Sequence, residues 1–352
     1  MKRVKHIFFT APSHASFVRK DIEILTKKFI VYLFLFQPKK KILTPIFFWK
    51  QLYNILIRVL QTNIYISQFA GYHTVLPTIF SRIFGKKHAI ILGGTESNWL
   101  PSIGYGNHNI PLLRAATKFS LKYSSLLLPV NKELVFCTYS YTETESGCLG
   151  YKSLYPDVKT PHQIIPNGID LSTFTLHEGA KRNLNTFVTL CGGLEDERRR
   201  KVKGVDLIIA LAETMIDSQF TVIGGKFPQG VILPKNITTI EYVDNKQLPE
   251  LFNTFTFYLQ LSMTEGFPNA LLEAMGCGCI PIVSSAGAMP EIVKGYGYIL
   301  QHKNLEELQA LVSKAFIEYD PEMHLRSHER AMQYQIKFRE KALLETITTL
   351  LT

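Results

Sequence analysis

Ten short apolar runs, spaced by stretches long enough for a helix or its loops, limit this chain to an α/β fold. The first five are His6 to Thr10, Ile30 to Phe36, Ile64 to Ser67, His88 to Leu92 and Leu126 to Pro129. The second five are Thr186 to Leu190, Phe220 to Ile223, Ile237 to Ile240, Phe255 to Gln260 and Ile280 to Ser284. Runs that are apolar without alternation suit parallel strands covered on both faces, and Val205 to Met215 and Leu305 to Phe316 are the clearest helices around them. The rhythm occurs twice, and 352 residues with 46% hydrophobic content are enough for two cores. We therefore expect an N-terminal Rossmann-like domain over 1–168 and a second over 169–333, hinged near Pro166-Asn167-Gly168, facing each other across a ligand cleft. The pattern of about 334–352 is helical.

No apolar run reaches the roughly 20 residues a spanning helix needs. The basic start Met1-Lys2-Arg3 leads into a strand pattern without a long apolar region or cleavage site, so we expect a cytoplasmic chain. Cys137, Cys148, Cys191, Cys277 and Cys279 fit neither a disulfide framework nor a zinc site, and read as small buried residues in a reducing compartment. Charge is uneven. Residues 1–170 hold 21 of the 39 Lys+Arg and 8 of the 29 Asp+Glu, a net of +13, leaving 18 against 21, a net of −3. A positive first half attracts anionic partners, and the contact region falls at Lys39 to Gln61. Its apolar residues from Ile46 to Leu60 lie at roughly helical spacing among Lys39, Lys40, Lys41, Lys50 and Arg58. Such a helix can lie in an anionic membrane surface or pack on the first sheet, and packing is the reading slightly favoured. No nucleic-acid reading motif accompanies the charge, so nucleic acid is not expected as a partner.

The most informative stretch for chemistry is Thr264 to Gly276, where Glu265 and Glu273 stand with seven residues between them. Gly266 and Pro268 are punctuation, Asn269 can cap, and Ala270 to Met275 is good helix-forming sequence, so a helix should begin near Pro268 or Asn269. The N–H groups of its first turn can hold a phosphate, while two carboxylates can accept from sugar hydroxyls. The strand Ile280 to Ser284 and the small-residue loop Gly287-Ala288-Met289-Pro290 follow, as at the carboxyl edge of a parallel sheet.

On those residues the chain resembles the retaining glycosyltransferases of family 4, enzymes of the two-Rossmann GT-B architecture. The pattern recurs upstream as Ile165-Pro166-Asn167-Gly168-Ile169-Asp170 with Phe174, as Gly192-Gly193-Leu194 with Lys203-Gly204, and as Phe220 to Gly225, while the N-terminal third matches more loosely. The resemblance implies that Glu265 lies beside the transferred sugar, Glu273 on the ribose, and Lys203 on the donor diphosphate. Gly192, Gly193, Gly266, Phe267 and Asn269 complete the implied donor pocket, and the resemblance further implies that the helix of about 334–352 packs back on the first domain. An Arg expected at the end of the preceding strand is replaced by Gly193, and Arg198, Arg199 or Arg200 is left to take over, Arg198 being favoured. The implied reaction is a front-face displacement in which the leaving phosphate accepts the acceptor's proton. No Asp-any-Asp motif is present, so no metal is expected and no cofactor beyond the nucleoside diphosphate sugar as co-substrate.

In the first domain the resemblance places a functional His where Gly93 of Gly93-Gly94-Thr95-Glu96 stands, a second departure. His73 is expected to reach the same cleft, with His14 and Tyr72 on the acceptor side. The expectation is a retaining, metal-independent hexosyltransferase acting on a cell-surface glycan precursor (lipopolysaccharide or capsule), lipid-linked and at the inner membrane face. Its alternatives are a sugar-nucleotide epimerase of the same fold and a non-catalytic glycosyltransferase-like binding subunit. Donor base, sugar, acceptor and linkage lie beyond the sequence.

Overall fold

A computed structural model describes residues 4–352; Met1 to Arg3 lie outside the described residues, as do the side chains of Lys41, Glu145 and Ser146. The chain divides into two units. One comprises Met1–Cys137, Cys148–Asn167 and Lys337–Thr352, the other Thr138–Gly147 and Gly168–Ile336. Whereas the sequence reading assigns all of 1–168 to the first domain, the ten residues 138–147 group with the second unit.

Unit 1 is a five-stranded parallel sheet of β1 (His6–Ala11), β2 (Ile30–Leu35), β3 (Ile64–Gln68), β4 (Lys87–Leu92) and β5 (Leu126–Pro129), ordered β2-β1-β3-β4-β5. All five expected strands are present within a residue or two of their expected ends. The helices α1 (Ser16–Thr26), α2 (Thr44–Leu56), α3 (Val75–Ile83) and α4 (Pro111–Tyr123) connect them. Ile55 of α2 packs against Phe8 and Tyr65, with Tyr32, Phe34, Leu76 and Phe80 around them. Gln51, one turn before Ile55, is buried and donates to Thr10 Oγ1 at 3.2 Å and to the His73 carbonyl at 2.8 Å. A short hairpin, β6 (Cys137–Thr142) and β7 (Glu145–Leu149), and the turn-length α5 (Tyr151–Leu154) follow.

Unit 2 is a six-stranded parallel sheet of β8 (Asn183–Leu190), β9 (Gln219–Ile223), β10 (Ile237–Ile240), β11 (Phe255–Gln260), β12 (Ile280–Ser284) and β13 (Tyr298–Leu300), ordered β10-β9-β8-β11-β12-β13. Five of these were expected; β13 is too short to show as a run. Helices α6 (Glu197–Lys203), α7 (Val205–Thr214), α8 (Leu248–Phe252), α9 (Asn269–Gly276), α10 (Met289–Val293), α11 (Leu305–Ile317) and α12 (Glu322–Met332) intervene, and α13 (Ile336–Leu351) closes the chain. The core centres on Phe187, stacked with Phe220 at 4.8 Å and Phe257 at 5.2 Å between ring centroids. In both sheets the order reverses beside the first strand, between β1 and β3 and between β8 and β11. Open α/β sheets bind ligands at the carboxyl ends of the strands flanking such a reversal.

Helix α13 is tied to α1 by a buried, two-pronged ion pair. Arg339 Nε donates to Asp21 Oδ1 at 2.6 Å and Nη2 to Oδ2 at 2.7 Å, while Nη1 donates to the carbonyls of Ile165 at 2.9 Å and Pro166 at 3.0 Å. Among the cysteines, Cys191, Cys277 and Cys279 are buried as expected, but Cys148 is exposed and Cys137 half-buried, because both lie on the two-stranded hairpin rather than in a sheet core. None is in a disulfide. No helix of the described residues is long and apolar enough to cross a membrane.

Candidate functional site

The two strands flanking the reversal in unit 2 deliver the chemistry. After β8 the chain passes Cys191, Gly192 and Gly193 and enters α6, whose first turn is capped by Asp196 accepting from the N–H groups of Arg198 at 2.9 Å and Arg199 at 3.3 Å. Helix α6 ends at Lys203 because Gly204 turns left-handed, at φ 72°. A Cβ at Gly204 would sit 2.2 Å from the Leu261 carbonyl oxygen, so only glycine lets this corner press against the end of β11. Beside it the Met263 N–H donates to the Val202 carbonyl at 2.7 Å. These two contacts bring Lys203 to the Glu265 loop across 62 residues of chain.

There Lys203 Nζ lies 2.5 Å from Glu265 Oε1, with side-chain exposures of 34% and 12%. The same carboxylate oxygen accepts from Ser262 Oγ at 2.9 Å and Gln260 Nε2 at 3.1 Å, and Tyr258 OH donates to Gln260 Oε1 at 3.1 Å. Glu265 is thus held by three donors and aimed by a buried polar relay. Burial works against the Lys203 ammonium, but the charge and hydrogen bond of Glu265 outweigh it and hold the amine above its ordinary value. Burial raises the Tyr258 phenol well above its usual range, and the charges of Glu265 and Glu273 add to this. It stays a neutral donor. Gln260, Ser262 and Tyr258 were missed in the sequence, although their signal is there: Thr256, Tyr258, Gln260 and Ser262 put a polar residue at every second position of an otherwise apolar strand.

Helix α9 begins at Asn269, with Pro268 at the cap position, so Asn269 is its first residue rather than its cap. Gly266 and Phe267 lead into it, and the Phe267 ring meets Tyr334 edge-on at 5.9 Å. Glu273 lies half-buried in the second turn, where its charge is felt by Tyr258 and Cys277. Of the three candidate arginines, it is Arg199 that reaches Gly193: a Cβ there would meet its Cδ and Nη1 at 2.8 Å. Its charge also acts on Lys203 and Cys191. Arg198 is exposed on another face of α6, and Arg200 donates to the Leu194 carbonyl at 2.5 Å and lies over the Phe227 ring. The helix explains the difference, since Arg199 stands four residues before Lys203, on the same face, and Arg198 five.

The hairpin residues 138–147 brace this loop from outside the sheet. Tyr139 OH donates to the Met263 carbonyl at 2.9 Å and Tyr141 OH to that of Leu261 at 3.3 Å, both rings being buried. The Lys303 N–H donates to the Tyr141 carbonyl at 2.7 Å, and Lys303 Nζ pairs with Asp206 at 2.6 Å.

Unit 1 holds a separate cavity of about 250 Å³, lined by Phe36, Pro38, Thr44, Phe69, Tyr72 and His73, among others. His73 is buried, with Nε2 at 2.8 Å from the Gln68 carbonyl, and burial lowers its pKa to about 4, so it is neutral near pH 7. Tyr72 meets Phe48 of α2 edge-on at 6.5 Å. His14 lies in the loop after β1, outside the residues that line this cavity. At Gly93 there is no room for any side chain: a Cβ would sit 1.9 Å from the ring of Phe69. Phe69 itself has φ 62°, a left-handed conformation that a bulky residue holds only under strain. Its ring fills the place where the resemblance expects a histidine. Glu96, fully buried in the same loop, accepts from the Gly93 N–H at 2.5 Å and the Gly94 N–H at 3.3 Å, and burial raises its pKa above the ordinary value. Among the described residues, no three of His, Cys, Asp or Glu are grouped so as to hold a metal ion.

Residues 197–333 match the family model "Glycosyl transferases group 1". One subunit of the human phosphatidylinositol N-acetylglucosaminyltransferase is 25% identical over 192 residues, 51% of this chain but only 37% of that protein, so the match spans little more than a third of the relative's length. The structure of sucrose-phosphate synthase from Thermosynechococcus elongatus is similar with a TM-score of 0.74 at 12% identity, over 98% of this chain and 99% of that one. Anabaena HepE, solved with UDP and glucose, is similar with a TM-score of 0.68 at 15% identity, over 98% and 100%. The family model thus matches residues 197–333, which hold Lys203, Glu265 and Glu273 and make up less than half of the chain, and the two Rossmann-like units share the fold of the GT-B glycosyltransferases.

Proposed function

We propose that the protein is a retaining, metal-independent glycosyltransferase that moves a hexose-type sugar from a nucleoside diphosphate sugar to a cell-surface glycan precursor, lipid-linked and held at the inner membrane face. The observation that carries this reading is the Lys203–Glu265 pair beside Arg199 and Glu273. Arg199 and Lys203 are like charges four residues apart on one helix, an arrangement that costs about 0.2–0.5 kcal/mol without a counter-ion and is relieved by an anion between them. A donor diphosphate is such an anion. As it binds, the Lys203 ammonium turns from Glu265 to phosphate oxygens and releases Oε1 to accept from a sugar hydroxyl. Fixed cations then stabilise the negative charge that grows on the leaving diphosphate while the sugar bond breaks. The acceptor hydroxyl gives its proton to that phosphate, and Glu273 holds the ribose. HepE binds UDP and glucose in its own structure, which supports a nucleotide sugar as the donor here.

A second reading, a glycosyltransferase-like subunit without turnover, is favoured by one observation: the Phe69 ring occupies the space above Gly93 where the resemblance puts a histidine. Thermal shift with UDP-, GDP- and ADP-sugars tests the donor site, since a ligand of the native state raises its stability by mass action. We expect one nucleotide to raise Tm and Glu273→Ala to weaken the effect. No shift with any of them would remove the donor site, and a shift without sugar release in the presence of membrane-extracted acceptors would favour the reading without turnover.

A further inference from the structure

Helix α2 is apolar on both faces, and only one of them is used. Its inner face carries Phe48, Gln51 and Ile55 into unit 1, where Phe48 meets Phe36 edge-on at 5.3 Å and Ile55 lies in the core. The outer row is Ile42, Ile46, Trp49, Tyr53, Leu56 and Leu60, spaced alternately by four and three residues, so that the side chains form one stripe along the helix and the turns that flank it. All six are exposed, Ile42 at 81%, Trp49 at 71%, Tyr53 at 64% and Leu60 at 89%. The packing reading favoured for the segment holds for the inner face, and beside it the helix leaves a second apolar stripe in solvent. A contiguous apolar stripe of this length on a folded unit marks an interaction surface.

The charges around it select the partner. Lys39, Lys40 and Lys50 are exposed beside the stripe. Between Glu23 and Glu96 the chain has no Asp or Glu and ten Lys or Arg. Face-to-face pairing of two copies would therefore set lysines against lysines with no carboxylate of this segment to neutralise them. An anionic bilayer offers what the stripe lacks, an apolar layer for Ile46, Leu56 and Leu60, phosphate for the lysines, and an interface between them that Trp49 and Tyr53 favour.

We infer that the outer face of α2 docks unit 1 on an anionic phospholipid surface. The stripe begins beside the unit 1 cavity, since Pro38 and Thr44 line that cavity and Ile42 lies between them in the chain. Docking would bring the cavity mouth to the level of the lipid head groups, where a lipid-linked acceptor presents its polar end. The docking itself does not rest on the sugar-transfer reading, because it is measured without donor or acceptor.

The test is co-sedimentation of the full chain with vesicles of phosphatidylcholine alone and of phosphatidylcholine mixed with phosphatidylglycerol, at rising salt. With Trp99→Phe as background, Trp49 is the sole tryptophan, since the chain has 2, and its emission reports burial in lipid. We expect binding only to the anionic vesicles, weakened by salt, with a blue shift of Trp49. Lys39→Gln, Lys40→Gln and Lys50→Gln together should weaken it on the order of a hundredfold, at about fivefold for each charge removed. Trp49→Ser with Leu60→Ser should abolish it, and the lysine variant keeps every apolar residue in case the serine variant fails to fold. A folded chain that ignores anionic vesicles overturns the inference. So does binding that neither variant weakens, or a concentration-dependent dimer, lost in the serine variant, without vesicle binding. Loss of vesicle docking with donor binding intact would leave the transferase reading standing.

Discussion

Lys203 Nζ and Glu265 Oε1 stand 2.5 Å apart, the end of one helix against the loop after a strand 62 residues later in the chain. On the proposed chemistry this contact occupies the place of the donor, each partner holding the other until phosphate and sugar separate them. Lys203→Ala should lower the rate of transfer at saturating acceptor by about 10²–10³-fold, the usual loss for one donor aimed at developing negative charge. Initial rates with the nucleotide sugar found by thermal shift check this; a change of less than a few-fold would remove Lys203 from the reaction.

The hairpin that joins unit 2 acts through two phenols. Tyr139→Phe and Tyr141→Phe each leave a buried carbonyl, Met263 or Leu261, without its partner, which costs about 1–3 kcal/mol. Urea unfolding should show that loss, and the double variant should also raise the KM for donor because both carbonyls lie in the loop that carries Glu265. Unchanged stability in the double variant would show that the hairpin rests on unit 2 without bracing it.

Gly93 and Phe69 form a fitted pair, with no space for a Cβ on the glycine. Gly93→Ala should destabilise unit 1 by about 1–3 kcal/mol, as overpacking does. Adding Phe69→Gly should recover most of the loss, since it clears the ring and relieves the left-handed backbone. Failure of the second change to rescue the first would place the clash elsewhere.

The pH dependence of unit 1 follows from its buried histidines. Burial lowers His73 to about 4 and His88 to about 3, with the charge of His73 adding to the effect on His88. Below pH 6.5 the unfolded chain takes up protons that these folded rings refuse, so their contribution is whole above pH 6.5 and falls as pH drops toward 4. Each ring adds a slope of up to about 1.4 kcal/mol per pH unit. Glu96 acts in the opposite direction, because its raised carboxyl stabilises the fold as it protonates. The difference between wild type and His88→Gln isolates the histidine part: the variant should lose less stability between pH 6.5 and 4, and parallel curves would refute the assignment.

Parallel strands are legible because most of them are buried on both faces and read as apolar runs, which is why the ten runs read from the sequence are strands of the two sheets, the partly exposed edge strands β2 and β10 included. The hairpin was not legible. Cys137–Thr142 is a polar, Tyr- and Thr-rich segment whose two buried phenols look like surface residues until the loop beneath them is known. Arg199 was one of three arginines the sequence offered, with Arg198 favoured at five residues before Lys203, whereas the helical turn of α6 puts the residue four positions away on the same face as Lys203. Helix α2 shows the limit of periodicity itself. When both faces are apolar, the pattern says that two surfaces will be covered but not which one the protein covers with its own core.

The pair formed by Asp21 and Arg339 spans 318 residues, and each is buried in the finished unit. A ribosome makes Asp21 318 residues before Arg339, so while that stretch is synthesised α1 carries a carboxylate whose cation in the folded unit does not yet exist. Burying it early would cost several kcal/mol, and leaving it in water keeps α1 from seating. Although its sheet strands emerge first, unit 1 is therefore the last to be completed. The strand order and the order of synthesis run in one direction, and the closing of the fold runs in the other.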